Sequence, residues 1–183
     1  MEAENVKRVV DLGGNIGLSS VFFAKQYPGA EICCVEPIPD NIALLRRNVE
    51  INHLQIRIVT AAVGAKDGKA RFELSVDPRQ HAVSDSKVIT PGVRSVDVEV
   101  LSVPSLMRLM GWEEIDLLKI DIEGGEVDLF IDADLAGIRL IIMETHNWAV
   151  GSQATDAMMR GLIINGFNVD LHHSGDGIAV LYR

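Results

Sequence analysis

Two short segments carry the side chains best suited to chemistry. Asp121-Ile122-Glu123 and Glu144-Thr145-His146 each place two titratable residues at alternate positions. In an extended chain, residues i and i+2 share a face, so each segment presents its pair to one side. Together they offer three carboxylates and an imidazole. Crowded carboxylates raise one another's pKa, which suits proton acceptance near neutrality. The same four residues could hold a hard divalent ion that lowers the pKa of a hydroxyl. No ligand spacing enforces such a site, and no metal site is assigned.

A third segment, Asp11-Leu12-Gly13-Gly14-Asn15-Ile16-Gly17, is a glycine-rich turn leading into a helix. Such a turn lets backbone approach a ligand closely, and the helix start offers free N–H groups. A dinucleotide fingerprint needs Gly at positions 1, 3 and 6, and neither register of this loop supplies them. The Gly-Lys-Ser/Thr of a phosphate loop is also absent. Glu36 ends the next strand, where a carboxylate can accept two hydrogen bonds from a ribose diol. Either feature alone has a plain structural alternative, a tight turn or a solvent-facing glutamate. The pair indicates an adenosine-containing ligand.

The elements that must position these residues alternate regularly. Strands are expected at 6–12, 31–36, 55–63, 115–122 and 139–144, and helices at 19–27, 125–135 and 155–165. Another helix follows Asp40, read as its N-cap, with Ile42, Leu45 and Val49 on one face. The segments 70–76 and 93–101 alternate like half-exposed strands around a polar loop, Asp77–Gly92, the candidate acceptor loop. A short helix is expected at 105–110, and strands at 167–172 and 177–182 close the chain through a tight turn. Repeated strand–helix–strand units imply an α/β fold: a doubly wound, Rossmann-like sheet, mostly parallel with an antiparallel last strand. Ligands of such sheets bind beyond the carboxyl ends of the strands, where strand order reverses. Lys119 lies mid-strand between apolar neighbours and is read as an edge or partly exposed position.

Composition sets the outer bounds. The 183 residues are 48% apolar and 23% charged, the balance of one globular domain. The net charge is −9, and 101–183 carry five basic against thirteen acidic residues. A chain without a basic stripe is a poor nucleic-acid binder. Cys33 and Cys34 are adjacent, so they point to opposite faces of a strand and no bridge is expected. No apolar run approaches the ~18 residues of a membrane span. A soluble, cytoplasmic protein is the expectation.

Several segments resemble one family, the FkbM-type S-adenosylmethionine-dependent methyltransferases. Asp11 to Ser19 looks like its first motif, and Glu36-Pro37-Ile38-Pro39-Asp40-Asn41 like its second. Ala61-Ala62-Val63-Gly64 and Leu118-Lys119-Ile120-Asp121-Ile122-Glu123-Gly124-Gly125-Glu126 resemble two more, in the correct order. The family usually has Ala where this chain has Gly14 and Gly125; both are small, so little consequence is expected. Members usually carry more chain before the first strand, so a single domain of residues 1–183 with little or no N-terminal cap is the reading. The resemblance implies a seven-stranded class I methyltransferase fold. It also implies that Asp11, Gly13, Asn15 and Gly17 line the methionine end of S-adenosyl-L-methionine. Glu36 would hold the ribose, Pro37 and Ile38 would touch the adenine, and Ala61 and Ala62 would lie at its edge. Asp121 would sit nearest the methyl group, with Glu123 or His146 as base. The implied reaction is O-methylation of a small-molecule or glycan hydroxyl. A non-catalytic module of the same fold and a nucleotide-dependent oxidoreductase are the alternatives.

Overall fold

The computed structural model describes residues 5–73, 82–83, 94–130 and 135–183. Five short parallel strands form the body of one sheet: β1 (Arg8–Leu12), β2 (Glu31–Val35), β3 (Ile56–Val59), β8 (Ile115–Ile120) and β9 (Ile138–Glu144). At its far side β11 (Ile178–Tyr182) runs antiparallel to β9, and β10 (Asn168–Val169) pairs with β11. The order is β10-β11-β9-β8-β1-β2-β3. This is the doubly wound, seven-stranded arrangement expected, with its antiparallel strand near one edge. The central strands are near-continuous apolar runs because both faces are covered. Val10, Leu12, Leu118 and Ile120 are fully buried in the larger core, while Val9 and Leu117 face the other side with Phe23.

The helices are α1 (Leu18–Gln26), α2 (Pro39–Ile51), α3 (Val103–Met110), α4 (Glu126–Leu129), α5 (Asn147–Val150) and α6 (Ser152–Ile164). α2 starts two residues earlier than expected. Ile38 is its N-cap and Pro39 opens it, a position where proline's missing N–H costs nothing. Asp40 therefore lies in the first turn and pairs with Arg94. The helix expected at 125–135 is a single turn, α4; residues 131–134 lie outside the described residues. The strand expected at 167–172 shortens to β10, and Asp170 accepts the N–H groups of His172 and His173 in a turn. Among the described residues, no helix is long and apolar enough to cross a membrane.

The expected strand at 55–63 is two strands. Val59 O accepts from both Glu36 N and Ala61 N, which ends the β2–β3 ladder and turns the chain. The next residues form β4 (Ala62–Val63), which enters a second sheet with β5 (Gly68–Glu73), β6 (Ala82–Val83) and β7 (Ser95–Leu101), in the order β4-β7-β5-β6. The half-exposed strands read from the sequence belong to this sheet. Of the polar loop at 77–92, all but residues 82–83 lie outside the described residues.

The foot of the main sheet is tied by Asp116. It accepts Lys7 N and Arg8 N at 2.8 and 2.9 Å and pairs with Arg139. Burial opposes its charge, but the two backbone N–H donors and Arg139 outweigh it and hold the carboxyl below its usual range. Asp116→Ala should cost ~1–3 kcal/mol in urea unfolding at neutral pH. Because the folded-state pKa is depressed, this stabilisation is present above ~pH 4 and is lost as pH falls through the folded value. The gap between wild type and variant should close over that acid range.

Candidate active site

β1 is the strand at which chain order reverses: β2 lies on one side of it and β8 on the other. The loop leaving β1 grips both neighbours. Gly13 N and Gly14 N donate to Val35 O at 3.0 and 3.1 Å, and Asp121 N donates to Leu12 O at 3.1 Å. Gly13 has φ 73°, and a Cβ built there would lie 1.8 Å from Asp121 O. Only glycine allows the loop to come this close to the end of β8.

A cleft opens over these strand ends, where an open α/β sheet binds its ligand. Gly13, Asn15, Glu36, Pro37, Ala61, Ala62, Asp121 and Glu123 line it. Two predicted groups, residues 13–62 and residues 121–123, thus share one cavity. Glu36 is 4% exposed and organises one wall. Its Oε2 accepts Asn15 N at 2.9 Å; its Oε1 accepts Ile38 N at 2.9 Å and Asn41 Nδ2 at 3.1 Å.

Asp11, Gly17 and His146 are placed behind the lining. Asp11 was expected beside the ligand, but it is fully buried. Its Oδ2 accepts both Ser19 Oγ and Ser20 Oγ at 2.6 Å, and its Oδ1 faces Lys119 Nζ at 3.1 Å. Gly17, at φ 87°, starts α1 and rests on Leu45, whose Cγ would lie 2.9 Å from an added Cβ. It serves helix packing.

Lys119 is partly exposed, one of the two readings of its position, but it is not at an edge. β8 lies between β1 and β9, and Lys119 sits in register with Asp11. Its Nζ donates to Gly13 O at 3.1 Å and approaches Asp121 Oδ2 at 3.4 Å as well as Asp11. Burial alone would lower its pKa; the Asp11 and Asp121 carboxylates outweigh that and raise it. The ammonium therefore joins β1, the glycine loop and β8. A lysine flanked by apolar residues two positions before an aspartate was the available signal, because a buried lysine needs a partner.

On the opposite wall, Glu123 has φ 55° and Gly124 φ 100°. Two successive left-handed residues turn the chain so that Glu123 projects into the cleft, a strained backbone of the kind found at functional sites. Burial pushes the Glu123 carboxyl up; His146 opposes this, and Asp121, Glu144 and Glu126 add to it. His146 is 5% exposed, and its Nδ1 lies 2.7 Å from Glu126 Oε1. That oxygen already accepts Ile122 N and Gly124 N at 3.2 and 3.3 Å, so Nδ1 is assigned as the donor. Nε2 then faces Glu123 Oε2 at 3.6 Å, Asp121 Oδ1 at 3.7 Å and Glu144 Oε1 at 3.9 Å. Glu126, 1% exposed, had no sequence signal as a site residue beyond its place in the motif. His172 and His173 lie away from the cleft in an exposed turn held by Asp170.

A family model of the methyltransferase FkbM domain matches residues 11–169. The methyltransferase sdnD of Sordaria araneosa is 27% identical over 169 residues, covering 75% of this chain and 65% of that one. This chain thus spans less than two thirds of that relative's length. The crystal structure of a methyltransferase FkbM from Methylobacillus flagellatus superposes with a TM-score of 0.61 at 15% identity, over 97% of this chain and 43% of that one. Aeropyrum pernix fibrillarin, solved with natively bound S-adenosyl-L-methionine, superposes with a TM-score of 0.53 at 13% identity, over all of this chain and 67% of that one. At these identities the two structures bear on the fold.

An Ala at position 14 would place its Cβ 2.0 Å from Cys34 Sγ, so the expectation of little consequence does not hold there. Gly14→Ala should cost ~1–3 kcal/mol by overpacking, and a double-mutant cycle with Cys34→Ala should show a favourable coupling. At Gly125 the nearest atom is the flexible end of Ile122, at 3.1 Å, and Gly125→Ala should be near neutral. Lys119→Met leaves Asp11 buried and unpaired and should cost ~3–5 kcal/mol; adding Asp11→Asn should recover part of it in the same unfolding assay.

Proposed function

The chain belongs to the FkbM methyltransferase family, and from that premise we propose that it methylates a hydroxyl of a small molecule or glycan with S-adenosyl-L-methionine as donor. The observation that carries this reading is the shared cleft. The glycine loop, Glu36 and the Ala61-Ala62 step line one part of it, and Asp121 and Glu123 the other.

The residues present fit an adenosyl group. Ala61 and Ala62 add no bulk to the wall, and Pro37 and Ile38 offer apolar surface beside them. Glu36 is held at a fixed place in the lining by Asn15 N, Ile38 N and Asn41 Nδ2 and would meet the ribose hydroxyls. Gly13 and Asn15 would meet the methionine end with backbone. Asp11, Ser19, Ser20 and Lys119 act through the loop, by fixing its shape from below. The cofactor supplies an activated methyl group on a sulfonium, displaced in line by the acceptor oxygen.

The remaining work falls to the chain's own side chains. Asp121 and Glu123 orient the acceptor hydroxyl over the strand ends, and alignment of this kind supplies much of the rate of a displacement. Glu123, presented by its left-handed backbone, receives the proton. His146, locked by Glu126, stands beside both, with Nε2 3.6 Å from Glu123 and 3.7 Å from Asp121.

Calorimetry with S-adenosylhomocysteine is the direct test. The folded chain should bind it, and Glu36→Ala should weaken binding by about tenfold or more, the worth of a charge-assisted hydrogen bond pair. Glu123→Gln should leave that affinity in place and slow radiolabelled methyl transfer to a hydroxyl acceptor by ~10²–10⁴-fold. A folded chain that ignores S-adenosylhomocysteine and binds NADH would overturn the reading.

A further inference from the structure

Of the charged groups around the cleft, the set behind the acceptor wall is the least balanced. Asp121, Glu123, Glu126 and Glu144 all surround His146, each with an oxygen within 4 Å of one of its ring nitrogens. Among the described residues, the Lys or Arg side chain paired with this set is Lys119, which also pairs with Asp11. Four carboxylates against one shared ammonium make a strongly negative locus, and its far side is partly shielded from water.

Two buried side chains of this set each leave one atom without a hydrogen-bond partner, Glu126 at Oε2 and His146 at Nε2. His146 is 95% buried by side-chain exposure of 5%, and its Nδ1 is committed to Glu126. Nε2 points into the carboxylates, but none of their oxygens comes within hydrogen-bond distance; the three lie at 3.6, 3.7 and 3.9 Å. Imidazole nitrogen and carboxylate oxygens spaced in this way are too far apart to bond one another and close enough to share a third atom. The ligand atoms of Asp121, Glu144 and His146 all lie within 4.8 Å of one another. Two ligands on opposite sides of a calcium-sized ion are separated by ~4.6–5.2 Å, and those on smaller ions by less.

We propose that Asp121, Glu144 and His146 form a divalent-cation site at the ends of β8 and β9, beside the cleft. The ligand chemistry is mixed: carboxylate oxygens suit Mg²⁺, Ca²⁺ and Mn²⁺, and the imidazole shifts preference toward Mn²⁺ among these. Glu126 completes the arrangement. It holds the Nδ1–H, which leaves Nε2 as a lone-pair donor, the carboxylate–histidine pairing that orients metal-bound histidines. Lys119 holds Asp121 by Oδ2 and leaves Oδ1, the oxygen facing His146, for the ion. The binding claim needs only these side chains and stands apart from the methyl-transfer reading. A cation here would border the same cleft as Glu123, where it could polarise an oxygen of the bound acceptor.

Mn²⁺ itself is the probe, titrated into the full chain and followed by the electron paramagnetic resonance of the free ion. One ion should bind per chain with a roughly micromolar dissociation constant. Glu144→Gln, at a side chain that is 50% exposed and so safe for folding, should weaken binding by about tenfold or more. Glu126→Gln, if its unfolding curve stays cooperative, should weaken it by a similar ~10–100-fold without touching a ligand. Failure to bind Mn²⁺ below ~1 mM, the weak end of protein cation sites, would overturn the proposal. So would several weak ions per chain, or binding that Glu144→Gln leaves unchanged. S-adenosylhomocysteine calorimetry on the same samples separates the two ideas: cofactor binding without Mn²⁺ removes only the cation site, and Mn²⁺ without cofactor binding removes only the methyltransferase reading.

Discussion

Lys119 lies in the middle strand of seven, where an ammonium group has little water to turn to, and its contacts decide how the strand ends meet. Burying a charge is costly unless it is paired and hydrogen-bonded. Asp11 on the neighbouring strand, the Gly13 carbonyl in the loop and Asp121 beyond the end of β8 share that task. Displacing any of the three takes one partner from the ammonium. The loop that forms the floor of the cleft is therefore fixed from beneath by an ion pair and from the side by two N–H groups on Val35 O. Ser19 and Ser20 extend the network to the first turn of α1.

The same economy runs through the other buried acids. Asp116 binds the start of β1, Glu36 shapes the loop and the entry to α2, and Glu126 fastens the β8–α4 turn and the imidazole. Each takes backbone N–H groups that a turn or strand end would otherwise leave unpaired. Much of the chain's excess negative charge in its second half is thus structural or lies at the cleft. Solubility alone would not gather it at strand ends.

The architecture was legible because hydrophobic period and turn residues state it directly. Apolar runs at 6–12, 115–122 and 139–144 read as buried parallel strands, and Ser174-Gly175-Asp176-Gly177 announced the antiparallel return. What escaped was the split at Val59, since a buried run of apolar residues gives no sign of where its hydrogen-bond partners change. The position of Asp40 escaped for a similar reason: an acidic residue before a helix and one inside its first turn look alike when Pro39 can open the helix itself. The cleft's two walls were foreseen as sets of residues, Gly13, Asn15 and Glu36 on one side and Asp121 and Glu123 on the other. Asp11 and Gly17 were assigned to the surface of the site because motif position says nothing of depth.

The sequence by itself determined which residues would reach the carboxyl ends of the strands, because strand period and chain order settle that before any side chain packs. It also determined the chemical character of that region, rich in carboxylates beside a glycine loop. Only the tertiary structure decided which of those groups face a ligand and which support others. Asp11 became a counter-ion because β8 brings Lys119 into register with it, and Gly14 lost room for a methyl group because β2 brings Cys34 against it. His146 became a buried, oriented imidazole because Glu126, twenty residues earlier, turns back beneath it. Such roles depend on contacts between strands distant in sequence, and a linear pattern carries no record of distance across a sheet.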